Sequence, residues 1–121
     1  MISTTLQVAL GGALGAALRF LLGTALLRPG FPIGILSVNV IGSFLMGLLV
    51  VWLHQRGLAG WQPFLMTGVL GGFTTFSAFS LETMTLIERG AAAQALAYVA
   101  LSVGLAVGAL ALGVWLARAT A

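Results

Sequence analysis

Phe76 and Phe79 stand three residues apart, with Thr83 on the same helical face, in the stretch Gly71–Ser80 that reads GGFTTFSAFS. The edge of an aromatic ring carries partial positive charge, so such a pair beside hydroxyls suits a small, poorly polarisable anion; lipid contact or core packing is the alternative use. Asn39, Gly42, Ser43 and Met46 share another face at i, i+3, i+4 and i+7, offering one amide and one hydroxyl either to an ion or to a neighbouring helix. Arg19 lies inside an apolar run and stays charged at any working pH. It must face water, a carboxylate or an anion, or snorkel to the membrane surface; Glu82 is its plausible acidic partner, since Glu88 falls at a loop. These groups coordinate and attract, but they cannot break bonds. The chain has one histidine and no cysteine, and it holds neither a carboxylate pair nor a nucleophile–base arrangement, so an enzyme is not expected.

The elements that must position these groups are membrane helices. With 121 residues, 60% hydrophobic and 6% charged, and a mean hydropathy of +1.16, the chain lies far outside the soluble globular class. The net charge of +3 rests on five arginines without lysine or aspartate, so no basic patch forms and nucleic acid is not an expected partner. Without cysteine, disulfides and thiolate metal sites are excluded. The N-terminus lacks the basic flank of a signal peptide, and its apolar run reads as a retained span.

A span needs about 20 mainly apolar residues. Four fit between the polar punctuations, at roughly 4–27, 33–53, 63–87 and 92–117, as one four-helix transmembrane domain over 1–121. Trp52, Trp61 and Trp115 fall near span ends, where the amphipathic indole prefers the headgroup level. In the third span, the paired glycines Gly71 and Gly72 weaken the helix, and the neighbouring Thr and Ser hydroxyls can satisfy the backbone that a break releases. A broken span is expected there, with a tight helix crossing as the alternative.

Arg56 and Arg118 flank the membrane on the N-terminal side, and Arg28 and Arg89 flank it on the other. This two-against-two tie gives no orientational bias, so copies inserted both ways can associate antiparallel. Gly11 and Gly15, Gly68 and Gly72, and Gly104 and Gly108 are small-xxx-small pairs suited to close helix approach, within one copy or between copies.

Four motifs, one per span, give the chain a resemblance to the Fluc (CrcB) family of small membrane fluoride channels. They are GGALGAALRF (11–20), GILSVNVIGSFLMG (34–47), GGFTTFSAFSLE (71–82) and Tyr98-xxx-Ser102. The resemblance implies an all-α, dual-topology antiparallel homodimer in a bacterial-type plasma membrane, with two pores that export cytoplasmic fluoride passively. It implies that Phe76 and Phe79 line the pore, that Asn39 donates to fluoride, and that Arg19 lies near the vestibule. Tyr98 and Ser102 would form a polar track, with Thr75 and Ser77 in the hydroxyl-rich turn beside it. It also implies a structural Na⁺ held at the dimer axis by the backbone carbonyls of Gly71 and Thr74. Ile35 and Gly104 depart from the family pattern where hydroxyls are common. The rival class is a proton-coupled exporter of the small multidrug resistance type, which uses a buried glutamate in the first span; here that span holds Arg19 and no acid.

Overall fold

Hydropathy dictates the architecture, because in a bilayer each backbone polar group must be satisfied within its own helix. The computed structural model describes residues 2–120, which are helical without strands. Helix α1 (Ile2–Ala25) leads through the Pro-Gly-Phe-Pro loop to α2 (Ile33–Gln55). A short 3₁₀ turn, Ala59–Trp61, then opens the third span. That span begins as a π-helix, Pro63–Leu70, continues as one α-turn, α3 (Gly71–Phe73), breaks, and resumes as α4 (Phe76–Glu88). Helix α5 (Ala92–Thr120) completes the chain. Four helical segments, 2–25, 33–55, 59–88 and 92–120, are long and apolar enough to cross a membrane. The chain is a multi-pass membrane protein.

Two helix pairs hold the chain together, and glycine sets the spacing of both. In α1, Gly11 and Gly15 lie against the backbone of Phe64, Gly68, Val69 and Phe73, so a methyl group at either position would run into main chain. A Cβ on Gly72 would come within 2.6 Å of the Gly12 carbonyl oxygen. Gly47 of α2 and Gly113 of α5 interlock in the same way, against Leu110 and Phe44. The first two small-residue pairs therefore serve packing within one copy. Gly104 and Gly108 differ: nothing stands within 4 Å of a Cβ at either one. A small core of Leu86, Ala95 and Tyr98, covered by Phe31, Leu36, Phe79 and Ala91, joins α4 and α5 at the other end.

The third span does break, but the glycines are not where it breaks. Gly71 keeps helical angles (φ −63°, ψ −36°), while Thr74 and Thr75 are extended at φ −85°, ψ 154° and φ −152°, ψ 118°. Gly72 is needed for contact with Gly12, and close packing of that turn keeps it helical. The two threonines come apart because side chains nearby replace their lost helical partners.

Candidate functional site

A backbone that leaves the helix inside a membrane must find other partners. The amide of Thr75, which would bond the Gly71 carbonyl in a continuous helix, donates to Asn39 Oδ1 at 2.8 Å, and Asn39 Nδ2 donates to the Thr75 carbonyl at 3.1 Å. The Asn39 side chain thus acts as a peptide group laid across the break. Ala78 N forgoes the Thr74 carbonyl for Thr75 Oγ1 at 3.1 Å, which caps α4. Arg19 Nε donates to the Gly72 carbonyl at 3.1 Å. The Gly71 and Thr74 carbonyls lose their helical donors at the end of α3, where the helix dipole is negative.

Against the first turn of α4, the positive end of that helix, lies a cavity of about 380 Å³. Asn39, Gly42, Ser43 and Met46 line it together, as their helical spacing predicts, with Thr75, Phe76, Phe79 and Ser102 opposite. Asn39 Nδ2 has two protons and spends one on Thr75, which leaves the other as a donor. Ser102, 7% exposed, has an unpartnered hydroxyl; so does Tyr98 one turn away, which is fully buried. The rings of Phe76 and Phe79 are 5.3 Å apart and tilted by 52°, and Phe76 is 78% exposed. The polar side chains lining this cavity are one amide and several hydroxyls, with no carboxylate among them.

A larger cavity, about 700 Å³, opens on the side of the α1–α2 loop and gathers Arg19, Arg28 and Arg89 with Glu82. Arg19 and Glu82 share it, yet no ion pair forms among these described residues. Three guanidinium groups and one carboxylate make it a net positive mouth that concentrates anions.

Residues 6–114 match the family described as CrcB-like protein, Camphor Resistance (CrcB). The chain belongs to the CrcB family. A relative from Ruegeria sp. (strain TM1040), named fluoride-specific ion channel FluC, is 58% identical over 98% of this chain and 97% of its own length. One of the same name from Roseobacter denitrificans is 60% identical, covering 92% of each chain, and one from Caulobacter vibrioides is 50% identical over 93% of this chain and 94% of that relative. These CrcB relatives are channels by name and not enzymes, which agrees with the lack of catalytic parts here and does not favour the exporter reading.

Within this CrcB chain, the residues singled out from sequence divide among several places. Asn39, Thr75, Phe76, Phe79 and Ser102 meet at the smaller cavity, while Arg19 lines the larger one. Tyr98 is packed between the two, and Ser77 lies outside both, 3.2 Å from Thr75 Oγ1 through its own Oγ. Gly71 lines neither cavity, whereas Thr74 borders the smaller. Ile35 lines the larger cavity, whereas Gly104 lies outside both. The α5 residue one turn beyond Ser102 is Ala106, and it does line the smaller cavity. Sequence reasoning also left out Arg28 and Arg89 as partners of Arg19; their position in the two loops on one side of the membrane was the available signal.

Proposed function

We propose that this chain is a fluoride-selective channel that works as a dual-topology antiparallel homodimer in the plasma membrane and lets cytoplasmic fluoride leave passively. The observation that carries this reading is the smaller cavity, where a helix N-terminus, the spare Asn39 proton, the Ser102 hydroxyl and two phenylalanine rings converge without a carboxylate. Fluoride is strongly hydrated, and several weak donors are what can replace its water while still letting it go. The name shared by the relatives supports the same ion. The net positive cavity around Arg19 would gather the anion, and Asn39, Phe76, Phe79, Ser102 and Tyr98 would pass it on, with Thr75 and Ser77 beside them.

Homodimerisation is supported by what one copy leaves unfinished. Phe76 stays 78% exposed at its own cavity, and Gly104 and Gly108 meet nothing within the protomer. The tie in loop arginines suits opposite insertion of the two copies. A structural Na⁺ fits the freed Gly71 and Thr74 carbonyls, whose oxygens at the negative helix end suit a hard cation and repel fluoride. Two copies would supply the oxygens between them.

Efflux from fluoride-loaded liposomes carrying the purified protein, run beside chloride-loaded ones, tests the proposal. Fluoride is expected to leave rapidly and chloride to stay. Equal release of both ions, or of neither, rejects a fluoride channel.

A further inference from the structure

Between the two cavities stands a column of aromatic rings. Phe31, from the α1–α2 loop, lines the larger cavity, and Phe79 lines the smaller. Tyr98 lies between them, 0% exposed and lining neither, with its ring 5.6 Å from Phe31 at 86° and 5.3 Å from Phe79 at 38°. Phe76 extends the column by another 5.3 Å step. The Tyr98 hydroxyl is the one polar side-chain atom in this column, and it has no hydrogen-bond partner.

A phenylalanine in a loop has no obvious reason to reach the core, but this loop is built to send it there. Pro32 holds φ −80° and ψ 70°, the angles of an inverse γ-turn, closed by Ile33 N donating to the Phe31 carbonyl at 2.9 Å. Proline makes that φ rigid. Phe31 is thereby packed against the cluster of Leu86, Ala95 and Tyr98. An edge-to-face contact is directional, and a phenol O–H bond prefers to lie in the plane of its ring. The ring plane that Phe31 favours for Tyr98 therefore sets the two directions in which the hydroxyl proton can donate.

We infer that Phe31 is a positioning residue of the ion pathway, which orients the Tyr98 hydroxyl at the septum between the vestibule and the smaller cavity and so sets the rate of anion passage. This rests on the channel reading above. Phe31 itself touches no ion; it acts through Tyr98.

The test is fluoride efflux from liposomes for the parent, Phe31→Leu, Phe31→Met and Phe31→Tyr, with the two aliphatic variants repeated in a Tyr98→Phe background. Leu and Met should slow efflux by between about twofold and tenfold, the range corresponding to loss of one aromatic pair, and Tyr should restore it. In the Tyr98→Phe background the same two changes should have no further effect. Tyr98 is the chain's single tyrosine, so protein grown with 3-fluorotyrosine gives one ¹⁹F line, which should move in Phe31→Leu. A parent that passes no fluoride sinks the channel reading and this inference with it. With a conducting parent, any of three results overturns the inference alone: unchanged efflux in the aliphatic variants, equal slowing with and without the Tyr98 hydroxyl, or loss of the assembled protein in both aliphatic variants, which would make Phe31 a core residue.

Discussion

At the residue scale, the telling groups are those that pack poorly by ordinary standards. An unpartnered buried hydroxyl costs about 1–3 kcal/mol, and Ser102 carries one at the wall of a cavity. Ser102→Ala should therefore leave thermal stability unchanged or raised while fluoride efflux falls; a drop in stability with unchanged efflux would assign the hydroxyl to packing. Phe76 and Phe79 call for the opposite control. Leucine keeps their bulk without the quadrupole, so Phe76→Leu and Phe79→Leu should each assemble normally and conduct poorly. Phe73→Leu, buried away from the cavity lining, should conduct after a packing loss below about 1.5 kcal/mol. Asn39 bridges the helix break, and in the proposed channel it also donates to the anion, so its substitution should affect both stability and efflux. In Asn39→Asp a carboxylate oxygen replaces the donor to the Thr75 carbonyl, so melting temperature and efflux should fall together; a stable, conducting variant would remove Asn39 from both roles.

At the element scale, the broken third span sets two carbonyl oxygens free on one side of the break and a helix N-terminus on the other. Opposite dipole ends a few residues apart would let one element serve the proposed cation and the proposed anion without their sharing a site. Replacing Na⁺ with a bulky organic cation should weaken the dimer or stop fluoride efflux, measured by gel filtration and by the liposome assay. Unchanged size and flux after exhaustive sodium removal would argue against the carbonyl site. Thr74→Ala should matter little to it, since a backbone oxygen is the proposed ligand and the Thr74 hydroxyl is bonded to the Leu70 carbonyl. Gly72→Ala should be far more damaging, because its methyl would enter the Gly12 backbone and push α1 off the third span.

At the scale of the whole molecule, the tie in flanking arginines becomes a statement about assembly. The chain is free of cysteine, so Thr120→Cys at the end of α5 provides a single reporter. A membrane-impermeant maleimide applied to intact cells should label roughly half of the copies if insertion is unbiased. Complete labelling or complete protection would give the protein one orientation and rule out the antiparallel dimer. The larger cavity bears on the same question, because Arg28 and Arg89 come from the two loops on one side and converge there with Arg19. Oppositely inserted copies would place one such mouth at each membrane face.

Hydropathy alone determined the four spans, because a bilayer demands about 20 apolar residues per crossing whatever the packing. Local composition likewise marked a break in the third span, and the spacing of Asn39, Ser43 and Met46 already placed them on one face. Position and partners were another matter, since they depend on residues far apart in the chain. Gly71 and Gly72 look like the weak point, yet both stay helical, Gly72 against the Gly12 backbone of α1, and the break falls at Thr74 and Thr75, where Asn39 from 36 residues away can replace the helical bonds. Which glycine pairs serve the protomer, that Arg19 takes a carbonyl and not Glu82, and that Phe31 reaches Tyr98 were decided only by the tertiary structure. A sequence records each group's capacity to bond, but only the packing of distant segments determines which partner comes within reach.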